Sequence, residues 1–114
     1  MELQTETNGD TLIITASGNR IDAAGAIDFK DKMRKLTEFG PDKIELDLAR
    51  VEFIDSSGLG AVVASMKQLP KGKTLSLLDL TPTVAKVFRL TRMDSVFDIR
   101  TSNATGGDAR TNAS

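Results

Sequence analysis

Residues 43–69 read KIELDLARVEFIDSSGLGAVVASMKQL, and the period of the apolar positions changes part-way along them. Over 43–48 the residues alternate, and Leu46 and Leu48, with Val51, Phe53 and Ile54 close behind, mark a well-buried central strand. Over 57–69 the apolar residues Leu59, Val62, Val63 and Met66 recur at spacings of three and four, which is the inner stripe of a helix. Between the two lies Asp55-Ser56-Ser57-Gly58. A strand that runs almost directly into a helix is half of a β-α-β unit, so this stretch sets the fold class as α/β. It also raises a chemical question, because two adjacent hydroxyls stand at the junction. Ser56 or Ser57 is suited to cap the helix, and free backbone N–H groups at a helix start favour an anion. An ordinary cap, with glycines for a tight turn, accounts for these residues on their own.

The same alternation of periods continues on both sides. Residues 10–18, DTLIITASG, are β-branched and bounded by turn formers, and Asn8-Gly9 is a hairpin signal that joins them to LQTETNGD. Residues 22–39 read as a helix with Asp22 as its N-cap and Gly40-Pro41 as its stop. Ala26, Phe29, Met33 and Leu36 share one face of it. PKGK at 70–73 is a turn, TLSLLDL at 74–80 a strand, and TPTVAKVFRLT at 81–91 a helix with an early proline and apolar Val84, Val87, Phe88 and Leu90. VFDI at 96–99 is read as an edge strand. From 101 to 114 the apolar period stops, and a mobile tail is expected. The order β, β, α, β, α, β, α, β predicts one domain over 1–100, with a mixed sheet of four to five strands and three or more helices joined by right-handed crossovers.

Composition removes several function classes. The 114 residues include no cysteine and no histidine, so disulfides, thiolate nucleophiles and the common transition-metal donor sets are absent. Fifteen basic residues balance sixteen acidic ones, which gives no field for nucleic acid or an anionic membrane. Five phenylalanines are the only aromatics, too few to build a base-stacking platform. The opening residues MELQTETNGD are unlike a signal peptide, so a small soluble domain of the cytoplasm is expected, without a cofactor.

The remaining motifs are weak. A serine nucleophile lacks a histidine base, and neither G-x-S-x-G nor S-x-x-K occurs. Gly72-Lys73-Thr74 mimics the end of a phosphate loop, but position 67 is lysine where the motif needs glycine, and the segment enters a strand. Asp22 and Asp55 are expected at the tips of neighbouring strands. On the second helix, Ser65, Lys67 and Gln68 are read as outward polar positions, with small Gly60, Ala61 and Ala64 beside them leaving room for a close partner.

FIDSSGLGAVV at 53–63 resembles the signature of the anti-sigma factor antagonists, the STAS domain family: a strand, then Asp-Ser-Ser/Thr-Gly-Leu-Gly opening a helix. NRIDAAGA at 19–26 is similar to the family's Gly-Arg/Glu-Leu/Ile-Asp turn, with Asn19 where many members have glycine. LLDLTPTVAKVFRLTRMDSVFDI at 77–99 resembles its last strand and helix. The resemblance implies a binding module rather than an enzyme. It implies that Ser56 is phosphorylated by an anti-sigma factor that is itself a GHKL-type serine kinase, and that a PP2C-type phosphatase reverses this. It further implies that Asp22, Asp55, Ser57, Gly58, Leu59 and Gly60 form the partner surface. Asp55 is expected to orient the loop or the acceptor hydroxyl, and Ser57 to cap the helix. Two other roles share the fold without the phosphate switch: an accessory subunit of a transporter ATPase, and a scaffold in a stress-sensing assembly.

Overall fold

The computed structural model describes residues 1–102; the tail expected over 101–114 lies almost wholly outside the described residues. The elements run β1 (Leu3–Asn8), β2 (Thr11–Ala16), β3 (Arg20–Ile21), α1 (Ala26–Thr37), β4 (Lys43–Asp47), β5 (Phe53–Ile54), α2 (Ser56–Lys67), β6 (Thr74–Leu78), α3 (Pro82–Leu90), a 3-10 turn (Met93–Ser95) and β7 (Asp98–Arg100). The α/β class and the three helices are as the periodicity predicts.

Five strands form one mixed sheet in the order β1-β2-β4-β6-β7. The β1–β2 hairpin is antiparallel, with Asn8 opposite Thr11 across a two-residue Gly9-Asp10 turn in which Gly9 takes a positive φ. The other three pairings are parallel, as strand-helix-strand connections require. Registers such as Ile14↔Leu46 and Leu46↔Leu77 align the buried residues of successive strands on one face. Phe29 and Met33 of α1, Val62 of α2, and Val84 and Phe88 of α3 complete that core. Phe88 meets Phe97 edge to face at 5.8 Å between ring centres.

Several local expectations are corrected. Helix α1 starts at Ala26 rather than Asp22. Its cap position is Gly25 and makes no side-chain cap bond, because residues 22–25 form a turn with Gly25 N–H donating to the Asp22 carbonyl. Phe53 is 42% exposed and Leu90 71%, so neither belongs to the core. Ser65 is 1% exposed rather than outward; its hydroxyl donates to the Ala61 carbonyl at 2.8 Å, which lets a polar residue sit on the inner face of α2. Ala61 is buried with it. The last strand lies at 98–100, two residues later than expected, because the 3-10 turn occupies part of the gap after α3.

The turn into β6 is held by a lysine. Lys73 has a side chain only 7% exposed, and its ammonium donates to the carbonyls of Gly40 (2.8 Å) and Pro41 (2.9 Å), with Asp42 at 3.9 Å. It therefore fastens the α1–β4 connection to the start of β6. Replacing it by a methionine of similar length keeps the packing and removes the donors. Hydrogen bonds from a charged group contribute about 1.5–3 kcal/mol, and loop relaxation recovers part of that. Lys73→Met is expected to lose about 1–2 kcal/mol in urea titration and to speed amide exchange around residues 40–43.

Candidate functional site

A second, two-stranded ladder builds the site. β3 and β5 pair in parallel with registers Arg20↔Phe53 and Ile21↔Ile54. Ile21 and Ile54 are both buried, so Arg20, Asp22, Phe53 and Asp55 fall on the other side by alternation. Asp22 and Asp55 directly follow the paired isoleucines and stand at adjacent strand tips. Two-residue strands leave no periodic trace: β3 is not visible as an element in the sequence, and Phe53 and Ile54, expected to continue the central strand, form a separate strand, β5, outside the five-stranded sheet.

Asp55, not either serine, caps α2. Its φ and ψ are extended, and its Oδ1 accepts from the Gly58 N–H at 2.8 Å. Its Oδ2 accepts from the Ala23 N–H at 3.1 Å, across to the turn after β3. The Asp55 N–H donates to the Ile21 carbonyl at 3.3 Å. One carboxylate thus ties the helix start to the turn that carries Asp22. The sequence contained the signal: aspartate is as good a cap as serine, and Asp55 lies three residues before Gly58.

These backbone donors, that of Gly58 foremost and then those of Ala23 and Ser57, hold the Asp55 carboxyl below its ordinary range against the opposing cost of desolvation. A depressed folded-state pKa contributes stability above the unfolded value near 3.9 and loses it as pH falls through the folded value. Wild-type stability is therefore expected to decline from about pH 4 downward, and Asp55→Ala to flatten that part of the profile while lowering the melting temperature at pH 7. A variant that keeps the full acid-side slope would assign the slope to other carboxylates.

With Asp55 as the cap, both serine hydroxyls are released. Ser56 and Ser57 are the first two residues of α2, both are exposed, and among the described residues neither hydroxyl makes a hydrogen bond. Beyond them a groove of about 380 Å³ runs between α1 and α2, lined by Ala23, Ile27, Lys30, Ser57, Gly60 and Ala64. Ile27 stands 72% exposed at its edge. Leu59 is half-buried and packs on the core, so it supports this surface from beneath. Gly58 also faces inward, whereas Gly60 faces open space. On the other flank the Arg20 guanidinium lies 5.1 Å from the centre of the Phe53 ring and 3.5 Å, through Nε, from Asp22. A larger recess at Asp79, Arg89 and Asp94 shares no residue with this site. Among the described residues no group of three or more carboxylates is arranged to hold a metal ion, and no helix is long and apolar enough to cross a membrane.

The site is thus a strand running into an acid-capped helix, with two exposed serines at the junction. The model of the STAS domain family matches residues 2–106, and the chain belongs to that family. Its relatives include the anti-sigma-B factor antagonist of Bacillus subtilis, 27% identical over 107 residues, which are 93% of this chain and 96% of that protein. The anti-sigma factor antagonist SpoIIAA of Bacillus, in its unphosphorylated form, superposes with a TM-score of 0.70 at 25% identity, covering 91% of this chain and 92% of that one. An anti-sigma factor antagonist from Mycobacterium paratuberculosis shares the fold, with a TM-score of 0.77 at 23% identity over 87% of this chain and 84% of that one. The chain is therefore a STAS protein, with relatives named as anti-sigma factor antagonists.

Proposed function

We propose that this protein is an anti-sigma factor antagonist switched by phosphorylation of Ser56. In its unmodified form it binds an anti-sigma factor that is also a GHKL-type serine kinase, and the sigma factor is freed. Phosphate on Ser56 abolishes that binding, and a PP2C-type phosphatase restores it. The observation that carries this reading is the spare hydroxyl. The capping role that would otherwise explain the serine belongs to Asp55, so Ser56 is left exposed and unbonded at a strand-to-helix corner.

Absence of an internal base fits the same reading, since a kinase brings its own base, metal and ATP. The contact surface consists of Ser56, Ser57, Asp22 and the α1–α2 groove rimmed by Gly60 and Ala64, where a partner approaches closely. Leu59, Asp55 and Gly58 shape that surface from within. The test is a pull-down from the source organism with Ser56→Ala and Ser56→Asp baits, followed by incubation of the captured kinase with ATP. The alanine bait is expected to retain a GHKL-type kinase and resist modification, and the aspartate bait to lose it. If both baits hold the same transporter ATPase equally, the phosphate switch is wrong and an accessory-subunit role replaces it.

A further inference from the structure

We propose that Arg20 receives the Ser56 phosphate, and so couples the modified residue to the β3 flank of the site. It rests on the reading of Ser56 as the phosphate acceptor. Arg20 and Phe53 are register partners, about 5 Å apart across the ladder, and Ser56 lies three residues beyond Phe53, at most about 10 Å along the chain. An extended arginine and a phosphoserine reaching toward each other span that separation. Arg20 is also the one cation among residues 19–22 and 52–57, where Asp22, Glu52 and Asp55 supply three carboxylates.

Its present contacts leave it ready for this. The guanidinium rests on the Phe53 ring, which limits the conformations it must lose on pairing. Its guanidinium approaches Asp22 with Nε at 3.5 Å and makes no hydrogen bond among the described residues, and its side chain is 61% exposed. With no hydrogen bond committed, the exposed guanidinium has donors available for a bidentate phosphate. The competing donors are the first backbone N–H groups of α2, of which that of Gly58 is already bonded to Asp55. The competing cation is Lys30, which borders the groove beside Ser57. The pairing favours the free phosphorylated protein over any complex that buries this corner, so it deepens the loss of affinity on modification.

The test needs no partner. Phosphoserine is placed at position 56 of the full chain by ligation or codon reassignment, and the phosphate is titrated by phosphorus NMR in the parent, Arg20→Gln and Lys30→Gln forms. A nearby cation lowers the second ionisation of a phosphate, and at this exposed site the Arg20→Gln form is expected to titrate about half a unit to one unit higher than the parent. The Arg20 Nε resonance is expected to shift on phosphorylation, and Arg20→Lys to restore part of the difference. Equal titration of parent and Arg20→Gln overturns the assignment, and so does a rise produced by Lys30→Gln instead. Thermal melts of the unmodified variants verify that each is folded. Whether cells phosphorylate Ser56 is read separately, by phosphopeptide mass spectrometry, so failure of the switch and failure of the Arg20 contact give different results.

Discussion

Gly58→Ala is expected to lower the melting temperature by roughly 10–20 °C, the largest stability loss of the substitutions considered. A Cβ built on Gly58 falls 1.9 Å from the Ile21 carbonyl oxygen and 2.6 Å from its carbon. Real contacts of that kind stay beyond 3.0 Å, and the obstacle is backbone rather than a side chain that can swing away. The same carbonyl accepts the Asp55 N–H, so pushing α2 off β3 also weakens the cap and the Asp55–Ala23 link. Alanine in place of glycine gains about 1 kcal/mol in helix propensity. Overpacking costs about 1–3 kcal/mol and more where backbone must move, and the broken cap adds to it. A net loss of about 2–4 kcal/mol follows, against a typical total of about 5–15 kcal/mol, and each kcal/mol is worth about 4–8 °C in a domain of this size.

Gly60→Ala provides the control. It lies two residues along the same helix, and nothing lies within 4 Å of a Cβ built there. Propensity acts alone, so this variant is expected to melt at or slightly above the parent. Paired calorimetry of the two variants separates the close helix–strand approach from any general dislike of alanine in α2. If both melt within about 2 °C of the parent, the packing of α2 on β3 is looser than the geometry states.

The pair also shows which features were legible in the sequence. Apolar periods of two and three to four survive in any element long enough to repeat, and so β2, β4, β6 and the three helices, the mixed sheet and the single core were all readable. The β3–β5 ladder was not, because two residues carry no period. Its only trace was the similarity of NRIDAAGA and FIDSSGLG to a known pattern. The cap is ambiguous in sequence for a different reason. Asp55, Ser56 and Ser57 are all competent caps, and only the extended backbone at Asp55 decides among them. Its polar type predicts Ser65 outward, whereas a bond back to the carbonyl four residues earlier makes it acceptable inside. Gly58 and Gly60 look alike in sequence, yet one faces a strand and the other faces solvent. A glycine's purpose depends on what stands opposite it, and that is a tertiary fact.

Phosphorylation of Ser56 is expected to weaken the anti-sigma factor complex by about a thousandfold while leaving the fold in place. The modification adds about 1.5–2 negative charges and three acceptor oxygens at the first residue of α2. In the free protein these meet opposing influences. The helix start favours an anion by about 0.3–1 kcal/mol, and repulsion from the Asp22 and Asp55 tips is screened by solvent at an exposed site. The two are similar in size, and a pairing with the exposed Arg20 adds little at a solvated site, so the melting temperature of the phosphorylated protein is expected to stay within a few degrees of the parent. In the complex the solvent is gone. Burying an unmatched charge beside two carboxylates costs about 2–5 kcal/mol, and about 4 kcal/mol corresponds to a thousandfold in Kd. On the proposed reading, the switch is expected to act through desolvation at the contact surface, without a second conformation of the domain. Ser56→Asp supplies one charge on a shorter side chain and should lose roughly half as much on a logarithmic scale. Calorimetric titration of the partner against the unmodified, phosphorylated and Ser56→Asp forms measures the ratio, and amide spectra of the free forms report the fold. A loss of less than about tenfold would leave electrostatics insufficient, since that is only about 1.4 kcal/mol. A full loss accompanied by spectral changes throughout β2, β4 and β6 would instead mean that the phosphate refolds the domain.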